Sequence, residues 1–186
     1  MNQIKIPLHT PFIEKDEVLA VQRVLESGNL ATGEEVEAFE RELAEYIGCK
    51  HVVCVSSATT ALHLALLVAR VGQAGNIGDE VIVPAFSYPS VAQTVHIIGA
   101  KAVFADCEVN TYNIRPQDVE EAVTDKTKAI IATSSFGYPY ELEASRRIAT
   151  KNNLKVIGDN AGALGAKYWG AKIGAANCDL HESDGK

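Results

Sequence analysis

Apolar residues recur three and four apart from Glu35 to Ile47, where Val36, Phe39, Leu43 and Ile47 share one helical side and acids occupy the other; Gly48 follows as a stop. Leu62, Leu66 and Leu67 carry the same period, which predicts a helix from about Thr59 to Ala69 with Ser56 and Ser57 available as caps. Further helices are predicted over Ser90 to Ile98, Pro116 to Val123 and Leu142 to Lys151, the second opened by Pro116, whose fixed φ suits a first turn. Between them stand short continuous apolar runs at His51 to Val55, Glu80 to Val83, Lys101 to Ala105, Lys128 to Ala132 and Lys155 to Ile157. Runs of that length read as buried strands.

Strand and helix alternate without a long linker, so the expected fold is α/β: a mostly parallel sheet flanked by helices. Residues 34–176 form that domain. Residues 1–33 differ, because Ile4 to Phe12 is broken by prolines and one amphipathic helix, about Lys15 to Glu26, leads into Ser27-Gly28. This segment reads as an arm or as a plain N-terminal cap on the domain. Residues 177–186 read as a separate tail.

Composition narrows the partners. The chain has 186 residues, 47% hydrophobic and 22% charged, which is enough for one domain with a core. A net charge of -7 and a pI near 5.2 argue against a nucleic acid polymer or an anionic membrane, both of which demand clustered Lys and Arg. A small anion remains open to it, since backbone amides can hold one locally. Cys49, Cys54, Cys107 and Cys178 have neither metal spacing nor the density of a disulfide scaffold, and three of them lie in or beside apolar runs, where a free cysteine is usually a small core residue. No leader pattern opens the chain and no apolar stretch reaches spanning length, so a cytoplasmic protein is expected.

Three places carry candidate chemistry, each at the end of an apolar run, where open α/β sheets bind ligands. Lys155-Val156-Ile157-Gly158-Asp159 ends in a single acid that can hydrogen-bond a protonated ring nitrogen and keep it cationic; capping or a turn before Asn160-Ala161 explains the acid equally. Ser56 to Leu62 joins strand to helix through small hydroxylated residues, and the free N–H groups of a helix start suit a phosphate; ordinary capping accounts for the same residues. Pro84-Ala85-Phe86-Ser87-Tyr88-Pro89 brings aromatics to the same edge, fit to stack on a planar heterocycle or simply to roof the core. Phosphate turn, aromatic lid and ring-nitrogen acid together describe a bed for pyridoxal phosphate.

With these residues in view the chain resembles the DegT/DnrJ/StrS-type sugar aminotransferases, which have the fold-type-I pyridoxal-phosphate-dependent transferase architecture. Ser56 to Leu66 is similar to the family's Ser-Ser-Gly-Thr-x-Ala-Leu-His-Leu-Ala-Leu signature. Further similar blocks follow in order: Gly78 to Pro84, Gly99 to Asp106, Thr111-Tyr112-Asn113-Ile114, Lys126 to Ile131 and Phe136-Gly137-Tyr138-Pro139. The resemblance implies that Ala58 and Thr59 hold the cofactor phosphate, Tyr88 stacks on the pyridine ring, Asp159 pairs with its nitrogen, and Ser183 also touches the phosphate. It implies transfer of an amino group, usually from glutamate, to a keto group on a nucleotide-linked sugar, as in polysaccharide biosynthesis, by a homodimer with sites at its interface.

Several positions depart from that pattern. Ala58 stands where the family has glycine, which would be costly if the position needs a positive φ and harmless if it begins the helix. Gly162 stands where a glutamine would reach the cofactor's ring oxygen. The Schiff-base lysine is expected about five residues beyond Ser183, after a Phe-Ser-Phe-like strand; Lys186 is the nearest candidate, comes early and lacks those flanks, so a free polar tail accounts for it as well. His181 lies too early to match the histidine of dehydrating relatives. The chain is therefore expected to be a truncated form of the large domain, either part of an aminotransferase or a catalytically silent cofactor-binding or dimer-forming remnant. A different nucleotide-binding α/β domain is disfavoured by the lack of a G-x-G-x-x-G or Walker-type loop between strand and helix.

Overall fold

The structure, a computed structural model, describes residues 10–72 and 78–175. Expectations placed on Cys178, His181, Ser183, Lys186 and the tail lie outside the described residues. The chain divides into two compact units, one up to Phe39 and one from Glu40 onward, the division falling inside helix α2 (Glu34–Ile47).

In the first unit α1 (Lys15–Ser27) opens with a capping box. The Glu14 backbone N–H donates to the Glu17 carboxylate at 2.8 Å while the Glu14 side chain accepts from the third helical N–H. The helix ends at Gly28, whose φ of 71° provides the left-handed cap a side chain would resist. Its apolar positions Val18, Val21 and Leu25 are all exposed.

The second unit is built on a four-stranded sheet in the order β2-β1-β3-β4, every pair parallel: β1 (Glu80–Pro84), β2 (Lys101–Ala105), β3 (Thr127–Thr133) and β4 (Lys155–Asp159). Helices α3 (Ala58–Val68), α4 (Ser90–Ile97), α5 (Pro116–Ala122) and α6 (Leu142–Asn152) connect and cover it. Side chains alternate across the sheet, and the core divides accordingly. Val81, Val83, Ala129, Ile131 and Ile157 pack with Leu62 and Leu66 of α3 and Val91 and Val95 of α4. Ile82, Ile130 and Ala132 pack on the opposite face with Val119 of α5 and Ile148 of α6. The mostly parallel sheet flanked by helices agrees with the α/β expectation, and the ends of the helices and of β1 to β4 lie within two residues of those expected.

Two segments differ. His51 to Val55 forms no strand: the Cys54 N–H donates to the Glu40 carboxylate at 2.6 Å rather than to a neighbouring ladder. An apolar run supplies the buried side chains of a strand but not the partner its backbone needs, and no described strand lies beside it. Conversely, β5 (Lys167–Tyr168) and β6 (Ala171–Lys172) form an antiparallel hairpin that the apolar pattern did not announce. Its two-residue turn, Trp169 (φ 49°) and Gly170 (φ 87°), has the paired positive φ of a type I′ hairpin.

The cysteines are also less central than expected. Cys49, Cys54 and Cys107 are free and half-buried rather than core residues.

At the edge where the strands begin, Glu80 is buried and accepts from Lys101 Nζ at 2.8 Å and Thr124 Oγ1 at 2.6 Å. The lysine, then the threonine hydroxyl, hold its carboxyl below the usual glutamate value. The neighbouring Asp79 accepts from the Gly72 N–H at 3.0 Å, closing the connection that follows α3.

Candidate functional site

Helix α3 runs back along the sheet between the segment before it and β1. Its C-terminal connection meets Asp79, just before the first residue of β1. Eleven helical residues span about 16 Å, the length of a five-residue strand, so the start of α3 lies toward the edge where the strands end. Ser57 caps that start, accepting from the Thr60 N–H at 3.1 Å, and Thr60 Oγ1 also meets the hydroxyls of Ser56 and Ser57 at 3.1 and 3.0 Å. The backbone N–H groups of Ala58 and Thr59 have no acceptor among the described residues. Ala58 is the first helical residue and has no positive φ, so a side chain costs nothing there. Ordinary capping thus uses Ser57 and leaves two donors without an acceptor among the described residues.

Asp159 closes β4 and lies two residues beyond Ile157, hence on the same face, the one α3 covers. It is half-buried. One carboxylate oxygen accepts from the Ala161 N–H at 3.2 Å, the local turn contact foreseen from sequence; the other has no partner among the described residues, and no cation pairs with it there. Its backbone is fixed from β3: the Ser134 N–H donates to the Asp159 carbonyl at 2.9 Å, and Ser134 Oγ donates to Asn160 Oδ1 at 2.8 Å.

The aromatics of the β1–α4 loop do not roof the core. Phe86 is 48% and Tyr88 75% exposed. Phe86 instead joins Tyr112 and Phe136, with ring centroids 5.2 to 6.2 Å apart. Tyr112 and Phe136 both have left-handed backbones, with φ of 59° and 53°, an uncommon state for aromatic residues. Buried Asn113 holds the two loops together: its carbonyl oxygen accepts from the Ser135 N–H at 2.8 Å and its amide donates to the Tyr138 carbonyl at 2.9 Å.

At one sheet edge, then, stand two unused helix-start donors, an unpaired carboxylate and an exposed tyrosine. Such a set can hold a flat, phosphorylated, cationic heterocycle. Residues 11–180 match the sequence pattern described as the DegT/DnrJ/EryC1/StrS aminotransferase family.

The chain belongs to that family.

The UDP-2-acetamido-2-deoxy-3-oxo-D-glucuronate aminotransferase of Pseudomonas aeruginosa is 40% identical over 167 residues, covering 89% of this chain and 44% of that protein. Among solved structures, S. venezuelae DesV in complex with a ketimine intermediate superposes with a TM-score of 0.80 at 37% identity, covering 85% of this chain and 42% of that one. The E. coli GDP-4-keto-6-deoxy-D-mannose-3-dehydratase with bound hydrated pyridoxal phosphate gives 0.83 at 31% identity, covering 91% and 44%. The chain therefore spans less than half the length of these relatives.

Pyridoxal phosphate is the cofactor of this family, and the residues present suit it chemically. Phosphate needs N–H donors at a helix start, the pyridinium needs a carboxylate free of other cations, and the ring needs an exposed aromatic surface. A Cβ at Gly162 would meet only ordinary contacts, 3.8 Å from the Ser134 carbonyl, so the backbone there does not require glycine. Thr133 and Ser134, and the contacts that Asn113, Tyr112 and Phe136 make, escaped sequence reasoning. Tyr112 and Asn113 were legible only as part of a family block.

Proposed function

We propose that this chain binds pyridoxal phosphate at the edge where β1, β3 and β4 end, and that the protein is an aminotransferase acting on a nucleotide-linked keto sugar. The observation that carries the reading is Asp159, whose free carboxylate oxygen lies on the face covered by α3. The N–H groups of Ala58 and Thr59 bind the phosphate, and Tyr88 covers one face of the ring. Asp159 keeps the ring nitrogen protonated. The cofactor, once bound, supplies an electron sink for the carbon bearing the amino group. Ser183 adds a phosphate contact and Lys186 is the chain's candidate for the amine that joins the cofactor and carries the proton, a role the chemistry requires.

The names of the relatives support a nucleotide-linked sugar as substrate; the supply of amino sugars for polysaccharides belongs to the same proposal. Glutamate as donor, a homodimer and a cytoplasmic setting complete the proposal. Among the described residues no helix is long and apolar enough to cross a membrane.

Titration of the 186-residue chain with pyridoxal phosphate, followed by calorimetry, tests the cofactor bed. Saturable binding below millimolar concentration is expected, and Asp159→Asn should weaken it about ten-fold or more, since a charge-assisted bond is lost. No binding at millimolar cofactor would remove the proposal. A glutamate half-reaction on the same chain, with Lys186→Ala alongside, separates amino transfer from silent cofactor binding.

A further inference from the structure

Thr133 ends β3 and pairs directly with Asp159 in the parallel register of β3 and β4. Lateral neighbours in a sheet point to the same face, about 5 Å apart. The Thr133 side chain and the Asp159 carboxylate therefore stand side by side on the face α3 covers. Thr133 Oγ1 is buried and has no hydrogen-bond partner among the described residues.

The hydroxyls that follow it are accounted for. Ser134 Oγ donates to Asn160 Oδ1 at 2.8 Å, and Ser135 Oγ donates to the Tyr112 carbonyl at 3.3 Å. Thr133 alone among these three offers a polar atom that the surrounding protein does not use. Valine has the same branched shape and suits a strand as well, so packing gives no reason for the hydroxyl. A buried hydroxyl without a partner is unfavourable, and the imbalance is relieved when a ligand supplies one.

We propose that Thr133 is a further binding residue of the ligand held at Asp159, its hydroxyl hydrogen-bonding a polar atom on the edge of the pyridine ring. This rests on the cofactor reading above. It makes an uncommon pair of demands: the hydroxyl is a burden to the ligand-free chain and an asset to the complex.

The test uses Thr133→Val and Thr133→Ser in the full 186-residue chain. Thermal unfolding is measured without ligand, and pyridoxal phosphate is titrated by calorimetry. Thr133→Val should leave the ligand-free midpoint unchanged or raise it, while weakening cofactor affinity about five-fold, the worth of one neutral hydrogen bond. Thr133→Ser, which restores the hydroxyl, should recover the affinity. Unchanged affinity in Thr133→Val, under conditions where Asp159→Asn weakens binding, overturns the inference and leaves the cofactor reading standing. A lowered ligand-free midpoint in Thr133→Val also overturns it, because the hydroxyl would then be serving the protein itself. Failure of the unsubstituted chain to bind overturns both.

Discussion

A single buried amide, that of Asn113, holds the Ser135 N–H and the Tyr138 carbonyl, the two ends of the turn that presents Phe136. Asn113→Ala would strip both groups of their partner, and a loss of about 2–3 kcal/mol in urea unfolding is expected. Asn113→Asp retains the acceptor but turns a carboxylate oxygen toward the Tyr138 carbonyl in a buried site, so at neutral pH it should destabilise at least as much as Asn113→Ala. Neither contact was legible in the sequence, where Asn113 and Ser135 are 22 residues apart. Asp159, Tyr88 and Thr59 were legible, since each follows an apolar run and the ends of such runs gather at one sheet edge. Ala58 left a question that dihedral angles answer: it begins α3, and its methyl group meets no conformational penalty. Thr133 gave no sign of itself, because a threonine in a strand is unremarkable until its hydroxyl is found without a partner.

At the scale of elements, α3 is held by Leu62 and Leu66, the latter wholly buried against the sheet. Leu66→Ala should lower stability by about 2–5 kcal/mol, and chemical denaturation would measure it. Because α3 also presents Ala58 and Thr59, the same change should weaken phosphate binding through its effect on the helix start. The β5–β6 hairpin tests a different kind of local strain. Trp169 is 85% exposed and left-handed in a type I′ turn, where asparagine is favoured. Trp169→Asn is expected to raise stability by about 0.5 kcal/mol, visible as a higher thermal midpoint. Helices were read well from their period because each closes its own backbone hydrogen bonds. Strands were read well only where a neighbour existed: β1 to β4 found one, and His51 to Val55 did not. Strands of two residues, such as β5 and β6, are too short to show any period.

In the second unit, the edge where strands begin is tied by charge, whereas at the edge where they end the Ala58 and Thr59 N–H groups and one Asp159 oxygen have no partner among the described residues. Glu80 ties β1 to Lys101 of β2 and to Thr124, just before β3. Its carboxyl titrates below the ordinary glutamate value of 4.5. A lowered folded value means the ionised form favours folding: the contribution is present above about 4.5 and is lost as the pH falls through the folded value. Glu80→Gln should therefore destabilise the chain at neutral pH by about 1 kcal/mol, with wild type and variant converging in acid. Urea titrations at pH 7 and pH 3 make the comparison.

The sequence by itself determined the order and type of the helices and of β1 to β4, because hydrophobic period, caps and turn residues act over a few positions. It also brought Asp159, Tyr88, Ala58 and Thr59 to the same kind of place, the end of a strand or the start of a helix. Only the tertiary structure decided which apolar run had a ladder to join, which face of the sheet Asp159 shares with α3, and which polar groups remained without partners. Those are properties of pairs, and the members of each pair lie tens of residues apart along the chain.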